Sequence, residues 1–155
     1  MKSRYFISGI IIILAVTLDE LIGRYVLNEL HDSVYITSFL NLVHAWNKGI
    51  AFGLFNTASS NFIFIWLTIV IMFVLTVMLV REEDKAKYIP YALILGGACG
   101  NLIDRLRYKA VFDFIDLHIV DFHWPAFNFA DAFIWIGSIM VAGNILLGNK
   151  TLQLQ

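Results

Sequence analysis

Charge, proline and cysteine are all scarce in this chain. Of its 155 residues only 15% are Asp, Glu, Lys or Arg, while 59% are hydrophobic. A typical soluble domain carries about 25% charged residues, so the deficit excludes an ordinary water-facing globule. The formal net charge is -1 and the isoelectric point is near 6.4. No basic stripe exists to neutralise phosphates, which excludes a nucleic-acid-binding protein. Cys99 is the lone cysteine, so an internal disulfide is excluded, and its place inside an apolar segment points to a packing role. There are two prolines, no Pro/Gly/Ser-rich linker, no repeat and no low-complexity stretch. We therefore expect one domain over residues 1–155.

What the chain does have is apolar length. Phe6 to Leu18 and Phe62 to Val80 are uncharged, and the second is long enough to span a bilayer alone, given a need for about 20 residues. Tyr88–Ile103 and Ala132–Leu147 are a little shorter, and each ends in a polar motif that extends it. The expectation is an all-α membrane protein with four transmembrane helices at about 5–23, 61–80, 87–104 and 129–148. Lys2 and Arg4 before the first run resemble the start of a signal peptide. The run, however, passes into Leu18-Asp19-Glu20-Leu21 without a small-residue cleavage site, so the first helix is expected to be retained. An even number of helices puts both termini on one side. Arg81, Lys85 and Lys87 crowd the short link between the second and third runs, and the positive-inside rule places that link and both termini in the cytoplasm.

The two outer loops are not featureless. Ser33 to Trp46 reads as a strand, Asn47-Lys48-Gly49 as a turn, and Ile50 to Phe55 as a returning strand. Val111 to Phe122 is again β-branched and aromatic. Together they predict a small β platform on the membrane surface, with Tyr25, Tyr35, Trp46 and Trp124 at interfacial depth.

Polar motifs are confined to the outer ends of the runs. Asp19, Glu20 and Arg24 close the first, and Gly96-Gly97-Ala98-Cys99-Gly100-Asn101-Leu102-Ile103-Asp104-Arg105 closes the third. Asn47 to Gly53 lies in the first outer loop. The second holds Val111 to Asp116, then His123 to Asp131 at the entrance to the last helix. A carboxylate at a bilayer centre costs about 2.5–3.5 kcal/mol on insertion scales, so such a group usually has a partner or a task. Asp113 and Asp131, able to meet at one face, point to acid–base chemistry on a substrate held in the membrane.

The residues alone leave plainer readings open. Asp113 fits a solvated loop carboxylate, and Asp131 fits an N-cap of the last helix. Asp116 and Asp121 read as loop carboxylates, and Asp104 as a structural partner of Arg105 or Arg107. His118, Asp121 and His123, with His44, invite a metal, but a helical H-E-x-x-H is absent and interfacial histidines explain them better. No metal or other cofactor is expected. A proton-coupled transporter using Asp19, Asp113 and Asp131 as a relay competes, although its carboxylates belong near mid-membrane. A non-enzymatic assembly subunit is the third class.

The blocks Asn47–Phe52, Gly96–Arg105, Val111–Ile115 and Phe127–Asp131, in this order on a four-span scaffold, closely resemble the lipoprotein signal peptidases (type II signal peptidases) of bacterial inner membranes. Their patterns are N-x-G-x-A-F, G-G-x-x-G-N-x-x-D-R, V-x-D-F-I and F-N-x-A-D. Each block is weak evidence alone; four in sequence are strong. The resemblance implies an aspartic endopeptidase that cuts a prolipoprotein just before its diacylglyceryl-modified cysteine, with the site toward the periplasmic face. It makes Asp113 and Asp131 the catalytic pair, needing no cofactor. Asn47, Gly49, Asn101, Arg105 and Asn128 match other positions of the blocks, and Asp19 matches the family's first-helix aspartate. The partners implied are diacylglyceryl-modified prolipoproteins and membrane lipids, with one chain, a monomer, containing the whole site. One departure stands out. The family usually has D-Q-x-x-K in the first helix, whereas here Glu20 follows Asp19, Gly23 stands in the lysine's place, and Arg24 is the nearest cation.

Overall fold

The computed structural model describes residues 2–30, 33–49 and 60–152. In chain order these form α1 (Lys2–Glu29), β1 (Val34–Thr37), β2 (Leu40–Asn47), α2 (Ser60–Arg81), α3 (Lys85–Tyr108), β3 (Val111–Ile119), β4 (Phe122–His123) and α4 (Phe129–Leu152). The fold is mostly helical, with a small antiparallel sheet. Among the described residues, three helices are long and apolar enough to cross a membrane: Ser3–Glu29, Asn61–Arg81 and Phe129–Leu146. They turn large apolar side chains outward, including Phe6, Ile13 and Leu21 on α1, Phe62 and Phe73 on α2, and Trp135 and Ile139 on α4. Outward apolar faces suit lipid rather than water.

The remaining helix, α3, is the hub, packing against α1, α2 and α4. Its Tyr88, Tyr91, Ala92, Leu95 and Ala98 are buried, which explains why a helix covered by its neighbours needs less apolar surface than they do. Close approach to α4 depends on Gly97, where an added Cβ would collide with the Ala130 carbonyl oxygen. Pro90 sits inside α3 and has no N–H to give the Ala86 carbonyl four residues earlier. The Asn144 side-chain amide on α4 donates to that carbonyl instead.

One end of the bundle is tied by Arg4. Its guanidinium donates to the Val80 and Glu82 carbonyls at 3.1 Å and pairs with Glu83 at 3.3 Å. The start of α1 and the α2–α3 link therefore share an end. At the other end α1 runs beyond the expected residue 23, because its last turns leave the helical bundle and pack on the sheet. Val26 is buried against Phe112 and Phe114, and the His44 ring hydrogen-bonds the Val26 carbonyl at 3.1 Å.

The sheet has the order β1-β2-β3-β4. Ser33–Trp46, expected as one strand, is instead a hairpin turning at Ser38–Phe39. The Phe39 N–H donates to Thr37 Oγ1 at 3.3 Å, the local side-chain bond that lets a Thr-Ser pair compete with a ladder. The expected return strand at Ile50–Phe55 lies outside the described residues. β2 runs antiparallel to β3 with Asn41 opposite Asp116, Ala45 opposite Asp113, and Asn47 opposite Val111. That register carries the first outer loop onto the strand that bears Asp113.

Candidate active site

The start of α4 is built around Asn128, which is fully buried at 0% exposure. Its Oδ1 accepts from the Asp131 N–H at 2.8 Å, as an N-cap does for a donor the helix cannot satisfy. Asn128, not Asp131, therefore caps α4, and the Asp131 side chain is left free of that role. The Asn128 amide donates to Asn101 Oδ1 at 3.0 Å, and Asn101 Nδ2 in turn donates to Asp131 Oδ1 at 2.7 Å. The three residues close a ring of hydrogen bonds that fixes the Asp131 carboxylate against α3.

Asp19 completes this helix start from α1. It is buried, and its Oδ1 accepts from the Ala130 N–H at 3.0 Å, so two neighbouring amides of the first turn are held by side chains. Gly100 of α3 makes room, since a Cβ there would lie 2.9 Å from Asp19 Oδ2. Asp19 thus holds the backbone one residue before Asp131.

Asp113 comes from β3 and is 3% exposed. Asn47, at the end of β2, donates through Nδ2 to Asp113 Oδ2 at 3.1 Å, while Asp113 Oδ1 is buried without a partner among the described residues. The Asn47 Oδ1 accepts from the Gly49 N–H at 3.1 Å, a local turn that aims the amide at the carboxyl. Burial, then the negative charge of Asp131, push the Asp113 carboxyl up to about 8, against the lowering effect of the Asn47 hydrogen bond. A carboxyl beside another and out of water retains its proton.

Arg105, 8% exposed, lies between these elements. Its Nη2 donates to the Gly49 carbonyl at 2.7 Å, pinning the first outer loop to α3. Its charge is within electrostatic reach of both Asp113 and Asp131. The expected site residues Asp113, Asp131, Asn47, Gly49, Asn101, Arg105 and Asn128 therefore converge, and Asp19 joins them through the Ala130 N–H. The block residues Ile50–Gly53 lie outside the described residues.

Other expectations change. Asp104 pairs with neither arginine by hydrogen bond; its Oδ2 accepts from the Phe112 N–H at 2.9 Å, fixing the start of β3. Arg107 instead reaches Glu20 on α1 at 2.9 Å, and Arg24 meets the same carboxylate at 2.7 Å. Glu20 thus gathers both cations at the first-helix cluster. At Gly23 a Cβ would rest 3.4 Å from the Phe114 ring. Asp116 is a buried strand residue rather than a loop carboxylate. It accepts from Asn41 Nδ2 at 3.0 Å and meets His123 Nδ1 at 2.9 Å. Burial raises its pKa, but the His123 and Asn41 bonds outweigh that and hold it below the usual carboxylate range. His118 and His123 stack with centroids 4.9 Å apart and planes 22° apart, so their in-plane lone pairs run side by side rather than converging on one ion. No group of three or more potential metal ligands occurs among the described residues. Asn61 and Phe64 on α2, both in contact with Arg105, were not legible as site residues. The only sequence signal was one asparagine at the mouth of an apolar run.

A family model described as signal peptidase (SPase) II matches residues 11–147. The lipoprotein signal peptidase of Pelagibacter ubique is 44% identical over 154 residues, covering 94% of this chain and 92% of that protein. That of Anaplasma phagocytophilum is 42% identical over 141 residues, covering 88% and 90%. A solved structure described as a bacterial membrane enzyme at 2.3 Å resolution superposes with a TM-score of 0.83 at 28% identity, covering 96% of this chain and 91% of its own.

Proposed function

This chain belongs to the signal peptidase II family, and on that premise we propose that it is an aspartic endopeptidase. It removes signal peptides from prolipoproteins by cleaving before the diacylglyceryl-modified cysteine, with Asp113 and Asp131 as the catalytic pair. One observation carries this reading. A buried carboxyl, Asp113, and a half-buried one, Asp131, come from different elements, are each held by their own asparagine and share one arginine, and the Asp131 charge acts on Asp113. Asp113, with its pKa near 8, holds the shared proton at neutral pH, and the ionised partner, Asp131, draws a proton from the attacking water. Asp113 then protonates the scissile carbonyl oxygen; as the C–N bond breaks, the proton gained by Asp131 leaves with the amine and the proton on the former carbonyl oxygen returns to Asp113. Asn101 and Asn128 keep Asp131 oriented, Asn47 orients Asp113, and Asp19 steadies the first turn of α4.

The setting follows from the substrate. A lipidated cysteine does not leave the bilayer cheaply, since each buried methylene is worth about 0.8 kcal/mol. The carboxyls must meet it at the membrane, and the outward apolar faces of α1, α2 and α4 suit that place. In this reading α3 is the fourth span, the chain works as a monomer in the bacterial inner membrane, both termini are cytoplasmic, and the site opens toward the periplasm.

The test is cleavage of a diacylglyceryl-modified prolipoprotein by the purified chain in lipid, read by mass spectrometry. Cleavage before the modified cysteine, unaffected by chelator, absent with unmodified precursor, and reduced about 100-fold or more in Asp113→Asn and Asp131→Asn is the expected result. Full activity in either variant would refute the pair.

A further inference from the structure

We propose that Phe64, on the first turns of α2, is a positioning residue that aims the Arg105 guanidinium at a carbonyl oxygen of the bound precursor. The proposal rests on the peptidase reading and adds a residue from an element that supplies no member of the Asp–Asn cluster. The Phe64 ring lies 5.0 Å from the Arg105 Cζ. One edge of the guanidinium is occupied, because Nη2 donates to the Gly49 carbonyl at 2.7 Å. Asn61, one turn before Phe64, donates to the Arg105 backbone carbonyl at 3.4 Å. The start of α2 therefore holds both the backbone and the side-chain face of Arg105.

The unfilled edge is what points to a ligand. Among the described residues, Arg105 Nη1 is buried and has no hydrogen-bond partner, and on the same site Asp113 Oδ1 is buried and equally unpartnered. Buried donors and acceptors are almost always satisfied, and the exceptions call for an explanation. A bound acceptor oxygen supplies one. Its chemistry is constrained by what surrounds it: Asp113 and Asp131 both act on this guanidinium, which disfavours a second anion such as a phosphate and favours a neutral carbonyl. A guanidinium is planar, so with Nη2 on Gly49 the only remaining freedom is rotation about that bond. A ring against its face removes that freedom, and the cation–π attraction grows as water is excluded.

The experiment compares Phe64→Leu, which keeps bulk but loses the ring, with Phe64→Tyr, which keeps it, each with and without Arg105→Gln. Steady-state cleavage is measured beside binding of the lipidated precursor to the same substitutions made in an Asp113→Asn chain. Phe64→Leu is expected to raise KM and weaken binding about tenfold, with kcat changed far less, while Phe64→Tyr restores both. With Arg105→Gln, Phe64→Leu should add nothing. An unchanged Phe64→Leu, or an equal loss with Arg105→Gln in place, would overturn the proposal. If the wild-type chain failed to cleave, the peptidase reading would fall, whereas the binding comparison would still decide the role of Phe64.

Discussion

Asn128 shows how much one side chain settles. It caps α4 with its oxygen and braces Asn101 with its nitrogen, so substitutions separate the two tasks. Asn128→Ala loses both, and we expect about 1 kcal/mol lower stability from the missing cap and a fall in kcat of about tenfold or more as Asp131 loosens. Asn128→Asp keeps an acceptor for the Asp131 N–H but loses the donor to Asn101. It should retain most of the thermal stability yet still lose activity. Thermal unfolding and turnover, measured together, check both. The short motifs that single out Asp113 and Asp131 were legible in the sequence, and the role proposed for the two carboxyls rests on that resemblance. The cap was not, since any Asn or Asp just before a helix reads as a candidate and only the hydrogen bonds decide between Asn128 and Asp131. Asp116 was misread for a related reason. A carboxylate in a β-rich stretch looks solvated until its partners Asn41 and His123 are seen.

At the scale of elements, the site depends on how closely α3 approaches its neighbours. Gly97 lets the first turn of α4 pass against α3, and a methyl group there would strike the Ala130 carbonyl. Gly97→Ala should therefore cost about 1–3 kcal/mol through overpacking. It should also lower activity on the order of 100-fold, because a displacement of about 1 Å at a reacting group has that effect. Gly143→Ala is the control on α4: nothing lies within 4 Å of its added Cβ, and stability should hold or rise slightly. Detergent-solubilised thermal unfolding of both distinguishes packing from a general glycine effect. The helices themselves were readable from apolar run length. Their ends were less so: α1 continues to Glu29 because its last turns trade lipid for contact with Phe112 and Phe114. The hairpin within Ser33–Trp46 was hidden because its turn, Ser38–Phe39, has neither Gly nor Pro to announce it.

For the molecule as a whole, the α2–α3 link and the start of α1 share one end, while the sheet and the carboxyls occupy the other. In a cysteine-free background, Glu83→Cys should be shielded and Asp121→Cys labelled by an impermeant thiol reagent added from the periplasmic side; the reverse pattern would invert the topology. The central claim is that Asp113 and Asp131 work as a pair holding one proton. Its most direct test is the pH dependence of single-turnover cleavage of lipidated precursor by the wild-type chain in lipid. Asp113 is pushed up to about 8 by burial and by Asp131, so it is protonated below that pH and ionised above it. Because the mechanism requires its proton, the rate should fall as pH rises through about 8, with the chain still folded. A rate that stays flat or climbs from pH 7 to pH 10 would contradict the shared proton, and with it the account of the site.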